Sequence, residues 1–252
     1  MVFVDLFNTL LTQPLFNLMV WLYDVVPGND LGIAIIILTI LIRLLLYPLS
    51  AQSIKGQKAL QELQPKIEAL KKKYKDDREA QAREMMALYK AEKVNPLSSC
   101  LPLLIQLPFL IAVFHVFSRG FDAENLSMLY AFIPNPGMLN PIAFGFLDLA
   151  APNTVLAVAT GLAQFWQTKM LVHKRQPSVS GSKDEDMMAM MNKQMLYVMP
   201  VITVVISFTL PAGLVLYWFL TTVLTALQQQ LMFKKKPATQ TIVTADSHEN
   251  VK

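Results

Sequence analysis

The sequence predicts an all-α polytopic membrane protein with five transmembrane helices, an N-terminal interfacial helix and a cytoplasmic helical hairpin. Three observations carry that expectation. Hydrophobic residues make up 54% of the 252-residue chain and charged ones 16%, against about 25% charged in ordinary soluble domains. Apolar stretches of roughly bilayer length recur along the chain, parted by polar segments. The basic residues collect in alternate connections, as a multi-pass topology requires. A net charge of +4 could suggest a nucleic-acid partner, but its confinement to alternate loops assigns it to one face of a membrane.

Residues 1–30 form the first unit, an extracytoplasmic interfacial helix and turn. Phe7, Leu10, Leu11, Pro14, Leu15, Leu18 and Trp21 recur at helical spacing, which suits a helix lying at headgroup level. An amphipathic helix packed on the rest of the protein fits the same pattern. The first 26 residues hold no Lys or Arg, so the positive n-region of a cleavable signal peptide is absent. Val26-Pro27-Gly28-Asn29-Asp30 is a turn signal. Residues 31–50 hold span one, an apolar run from Leu31 to Leu49 broken by Thr39 and Arg43.

Residues 51–96 break the apolar pattern with eleven Lys and Arg residues interleaved with acids. Leu60, Leu63, Ile67, Leu70 and Tyr74 follow a 3-4-3-4 seam, and Ala82, Met85, Met86 and Tyr89 give a second stripe beyond the Asp76-Asp77 corner. The expectation is a cytoplasmic hairpin whose helices shield each other's stripes, with Pro65 kinking the first. A coiled-coil dimer is the alternative, for which the stretch is short.

Residues 97–233 hold spans two to five. Span two covers Leu97–Phe117, with Pro102, Gln106 and Pro108 inside it, and span three covers Thr154–Leu171. Span four is Met195–Leu210 and span five is Leu214–Phe233, after a Pro211-Ala212-Gly213 turn. Ser118–Pro152 is expected to be a loop carrying interfacial aromatics Tyr130, Phe132, Phe144 and Phe146, and His173–Asn192 a flexible polar loop. Residues 234–252 read as a disordered cytoplasmic tail. The connections after spans one and three and the tail hold nearly all the basic residues, which places the N-terminus outside and the C-terminus in the cytoplasm. Five spans require opposite ends as well. Cys100 is the only cysteine, so no intrachain disulfide can form.

Arg43 is the residue whose position most needs a reason. It lies about 18 Å into span one by helical rise, where an arginine costs about 2.5–3.5 kcal/mol on insertion scales. Its side chain either snorkels to the cytoplasmic headgroups or lines a water-filled cavity in the inner half of the membrane. Gln106, Gln164, Gln167, Thr160, Thr168, Thr221, Thr222 and Thr225 lie in spans two, three and five. They fit either a hydrated groove or plain interhelical hydrogen bonding. Gln228-Gln229-Gln230 is expected to solvate the inner end of span five. His115, His173 and His248 have no metal-ligand spacing and no nucleophilic partner. No glycine-rich phosphate loop occurs. The expectation is therefore no enzyme, no cofactor and no metal.

Several strings are specific enough to resemble a family. LQPKI (Leu63–Ile67), EMMALYKAEKVNPL (Glu84–Leu97), CLPLLIQLP (Cys100–Pro108), LPAGLVLYW (Leu210–Trp218) and LQQQLMF (Leu227–Phe233) are similar to the core of the YidC/Oxa/Alb membrane insertases, closest to the bacterial branch. The resemblance runs from about Leu31 to Phe233. It implies a bacterial inner-membrane insertase and chaperone with a groove open to the cytoplasm and the lipid. In that groove Arg43, Gln106, Gln167 and Trp218 match the family's substrate-facing positions. Spans two and four match the helices along which substrates slide, and on them we expect Leu103, Leu107, Met199 and Ile202 to take part.

The implied partners are nascent membrane proteins, the ribosome or targeting factors at the hairpin, and the lipid bilayer, with action alone or beside the Sec translocon. No direct nucleic-acid recognition is implied. Relative to Gram-negative members a large extracytoplasmic domain and its anchor are missing from this sequence, which fits either a naturally short form or one whose start has been removed. The chain departs from Gram-positive ones in lacking a lipoprotein cysteine, and its tail is only modestly basic. A small-anion transporter or channel using Arg43 as its binding charge is the alternative function.

Overall fold

The computed structural model describes residues 2–75, 77–99, 101–118, 128–171 and 194–234. The expected roles of Cys100, the His173–Asn192 loop and the tail beyond Lys234 fall outside those residues. Helix dominates. The order is α1 (Val2–Phe7), a π-helical turn (Asn8–Thr12), α2 (Gln13–Val25), α3 (Leu31–Leu45), α4 (Tyr47–Lys73) and α5 (Arg78–Ala91). A 3₁₀ turn (Pro96–Ser99) leads into α6 (Leu101–Ser118), and a two-stranded ribbon, β1 (Ile142–Ala143) with β2 (Leu147–Asp148), precedes α7 (Thr154–Leu171). A second π-helical turn (Gln194–Val198) runs into α8 (Met199–Ser207), and α9 (Ala212–Lys234) follows.

The N-terminal helices are packed, not merely laid on a surface. Phe16, Met19 and Val20 of α2 are buried against a core shared with Leu31, Ile35 and Leu38 of α3 and Val113 and Val116 of α6. The polar Asn17 is 1% exposed, so its amide needs partners. It finds them in the outer loop, donating to the Met128 carbonyl at 3.0 Å and accepting from the Tyr130 amide at 2.7 Å. Trp21 and Val25 remain exposed on the opposite side.

Asp30 starts α3. Its Oδ1 accepts from the amides of Gly32 (2.8 Å) and Ile33 (3.1 Å), and its Oδ2 accepts from the Phe144 amide at 2.5 Å. A single carboxylate thus closes the first turn of the helix and pins the ribbon above it. The segment after the ribbon supplies the carbonyls of Ala151 and Leu149 to the amides of Ala212 and Gly213 at the start of α9. A region expected to be plain loop is therefore a strap across the N-terminal ends of α3 and α9. Phe132 and Phe146 stay outside, 80% and 81% exposed.

Span one departs from its expected course. α3 stops at Leu45, and the axis turns by 67° into α4. Pro48 cannot donate an amide hydrogen, which weakens the ladder where the bend occurs. By contrast, α4 is continuous through Pro65. The first turns of α4 are not free in water. Ser50, Ser53, Gln57 and Gln61 recur on one face and meet, respectively, Gln228 of α9, the Ser98 carbonyl, Gln229 of α9 and the Met170 carbonyl of α7. Gly56 lets α4 lie against Ser98, where any Cβ would collide with that side chain.

Farther out, Leu63 and Ile67 are buried, as the seam predicts. On α5 the face differs from the expected stripe: Ala80 is buried, whereas Ala82 and Met86 are exposed. Asp77 caps α5 through the Ala80 amide at 2.9 Å, and a Lys66–Glu92 ion pair ties the two helices together.

α7 packs on α9 and α8, while α6 packs on α9 and α2. Gly161 admits Val204 and the Pro200 carbonyl of α8 at close range, as small residues do where helices pack without a hydrophobic drive. Ala212–Phe233 is long and apolar enough to cross a bilayer alone, and α3 with α4 passes that test only as a bent pair. Leu104–Phe117 and Gln194–Ser207 are shorter apolar helices.

Asp30→Ala removes the α3 cap and the Phe144 tether together. It should destabilise the protein by about 1–2 kcal/mol, read as a lowered unfolding temperature in detergent. Asp5→Ala, at an exposed position, should leave that temperature nearly unchanged.

A candidate functional site around Arg43

Arg43 sits in the last turn of α3. It finds its acceptor on another helix. Its Nη2 donates to Oε1 of Gln228 on α9 at 3.2 Å, and the Ser50 hydroxyl donates to the same oxygen at 3.1 Å. One amide oxygen therefore joins α3, α4 and α9. The next residue, Gln229, is 0% exposed, and its Nε2 donates to Oε1 of Gln57 at 3.3 Å.

Outward from this point, Gln106 of α6 donates through Nε2 to the Tyr217 hydroxyl at 3.2 Å. Tyr217, Thr221, Thr225 and Gln228 recur at helical spacing along one face of α9. Thr221 and Thr225 return their hydroxyls to the carbonyls of Tyr217 and Thr221, which leaves the amides and the guanidinium as the groups that reach between helices.

A cleft of about 250 Å³ adjoins the seam, lined by Ile40, Arg43, Leu44 and Tyr47 on one side and Leu224, Leu227, Gln228, Leu231 and Met232 on the other. Gln228 Nε2 and Gln229 Oε1 are buried with no hydrogen-bond partner among the described residues. Leaving such a group dry costs about 1–3 kcal/mol, and bridging water removes that cost. The site is one cation, several amides and a need for solvent.

The expected site residues divide into groups. Arg43 bonds to Gln228 and Gln106 bonds to Tyr217, both partners lying on α9. Gln167 on α7 and Trp218 on α9 are partly exposed and stand outside these pairs. Gln164 serves as helix-to-helix glue, accepting from Thr203 of α8 at 2.7 Å. Thr160, Thr168 and Thr222 satisfy carbonyls of their own helices. Leu107, Met199 and Ile202 are 39%, 44% and 42% exposed, and the Leu103 side chain falls outside the described residues.

The residues missed from the sequence are Gln228, Gln229, Ser50 and Gln57. Gln228 and Gln229 do not solvate a helix end as expected, because α4 lies against that end and takes up their amides. Two signals were present: the polar face of α9 running down to Gln228, and the polar spacing at the start of α4. No three His, Cys, Asp or Glu side chains gather among the described residues.

Comparison with known proteins bears on what such a seam serves. The family model for the 60Kd inner membrane protein matches residues 21–239. The chain belongs to that family, the YidC/Oxa insertase group of the sequence resemblance. Over 212 residues it is 36% identical to the membrane protein insertase YidC of Fusobacterium nucleatum subsp. nucleatum, covering 84% of this chain and 90% of the relative. The family places the chain in a bacterial inner membrane and in membrane protein biogenesis. All the residues of the seam lie within the matched region.

Gln228→Leu deprives Arg43 and Ser50 of their common acceptor. It should destabilise the protein by about 1–3 kcal/mol in thermal unfolding. Gln230→Leu, one position further along α9, should change little.

Proposed function

We propose that this chain is a membrane protein insertase that lets nascent hydrophobic segments enter the bilayer through a hydrated groove built on Arg43. An insertase is not an enzyme: it moves a chain between phases without making or breaking a covalent bond. In this reading the spans are α3, α6, α7, the second π turn with α8, and α9. The N-terminus lies outside, and α4 and α5 lie in the cytoplasm with the C-terminus. Arg43, Gln106, Gln167 and Trp218 face the groove. Leu103, Leu107, Met199 and Ile202 lie on the helices along which the segment leaves for lipid. The exposed apolar faces of α6 and α8 suit that exit, since the two helices pack on different neighbours.

The observation that carries the proposal is the Arg43–Gln228 hydrogen bond between two otherwise apolar helices. The guanidinium is held against an amide of a second helix, beside buried amide atoms that call for water. The mechanism follows from electrostatics. A short acidic flank of the incoming segment enters the wet groove, where the guanidinium offsets part of its desolvation cost. A potential negative inside then drives the flank outward by about 2.3 kcal/mol per charge per 100 mV. Partition of the apolar segment into lipid supplies the rest. The incoming partner is a nascent membrane protein. The cytoplasmic hairpin is the surface offered to the ribosome or targeting factors, with the Sec translocon as a further neighbour.

Arg43→Ala should slow insertion of substrates with acidic translocated flanks by about tenfold, the effect of roughly 1.4 kcal/mol. Arg43→Lys should retain most of it. Reconstituted insertion into vesicles measures both. Equal insertion by wild type and both variants would remove the charge from the mechanism.

A further inference from the structure

The C-terminal end of α5 carries a feature the insertase reading does not use. The helix closes by two backbone bonds, from the Val94 amide to the Tyr89 carbonyl (3.0 Å) and from the Lys93 amide to the Lys90 carbonyl (3.2 Å). This closure places Lys93 at φ 54°, a conformation that glycine adopts freely and a side chain adopts at a cost. A lysine is therefore held where backbone economy favours glycine. Strain of that kind points to a use for the side chain.

The same turn borders a pocket of about 260 Å³. Its walls are apolar, from Met86, Tyr89, Val94 and Pro96, and its cations are Lys90 and Lys93. Both lysines are exposed. The neighbouring Lys66 is already paired with Glu92, so that acid is taken.

The position of the pocket follows from the bend after α3. α4 leaves at 67° to α3, so at a rise of about 1.5 Å per residue it descends only about 4 Å along the α3 axis between Leu46 and Ser53. Ser53 donates to the Ser98 carbonyl at 3.4 Å, within the 3₁₀ turn that starts at Pro96, a wall of the pocket. The pocket thus lies a few Å beyond the inner end of α3, within the roughly 5–7 Å headgroup layer that flanks the hydrocarbon core.

We propose that Lys90 and Lys93 form a binding site for the headgroup of an anionic phospholipid of the cytoplasmic leaflet. The two cations meet the phosphate and the lipid's acidic charge, and Met86, Tyr89 and Pro96 cover the adjoining glycerol and upper acyl carbons. A bare anion would leave that apolar wall without a role. The site rests on the membrane placement of α3 and α6 given above, but not on insertion activity. It is read in detergent, so a failure of the Arg43 mechanism leaves it unaffected.

The test is lipid retention on the full chain by native mass spectrometry, with phosphatidylglycerol or phosphatidylcholine added to the micelle. Lys90→Gln and Lys93→Gly should each weaken phosphatidylglycerol retention by about fivefold, the worth of one lysine near an anionic surface. Phosphatidylcholine retention should not change. Lys93→Gly relieves the strained turn, so its unfolding temperature should be no lower than that of wild type, which separates loss of the site from loss of the fold. Arg78→Gln, at the other end of α5, should retain the lipid as wild type does. Equal phosphatidylglycerol retention by wild type and both lysine variants would overturn the proposal. So would an equal loss in Arg78→Gln, or displacement of the lipid by equimolar inorganic phosphate. Unchanged lipid retention with lost binding of an acidic peptide would assign the pocket to protein instead.

Discussion

A guanidinium carries five N–H donors, and an apolar helix offers it no side-chain acceptor. It must be met by another element, by water or by lipid headgroups, and the choice shapes everything packed around it. Here Arg43 is met by Gln228, whose single carbonyl oxygen also receives Ser50. That bond sets α9 beside α3 and draws the start of α4 in beneath them. The buried amide of Gln229 then requires Gln57, one turn or two further along α4. The docking of α4 under the bundle thus satisfies one cation and two neighbouring amides.

The two ends of the bundle are closed by different chemistry. At the outer end the strap of residues 128–152 delivers carbonyls and amides to the starts of α3 and α9, with Asp30 and Asn17 as the side-chain anchors. At the inner end the seam retains unpaired amide atoms on Gln228 and Gln229 and adjoins an open cleft.

Much of this was legible from residues alone. Span three and α7 share the same bounds, Thr154–Leu171, because the apolar run marks them clearly. Arg43 stood out because its cost in hydrocarbon is large enough to demand a reason. The seam of Leu63 and Ile67 emerged from heptad spacing. What could not be read was any feature set by a partner far along the chain. The bend at Leu46 depends on what α4 leans against, and Gln228 is 185 residues from Arg43, so no local pattern pairs them. Gln164 and Gln106 look alike in sequence, yet one bridges α7 to α8 and the other reaches a tyrosine of α9. On α5 the buried residue is Ala80, next to the Asp77 cap, and not a member of the expected stripe.

The account stands on water reaching the cleft beside Arg43 from the cytoplasmic side. The direct measurement places a cysteine at Leu224, which lines that cleft, in a Cys100→Ser background, and labels it with a membrane-impermeant thiol reagent. Labelling is expected in inverted vesicles and not in right-side-out ones, while a cysteine at the exposed apolar Val205 of α8 stays unlabelled in both. A Leu224 probe that reacts only after detergent is added would mean a dry cleft, and would contradict the account.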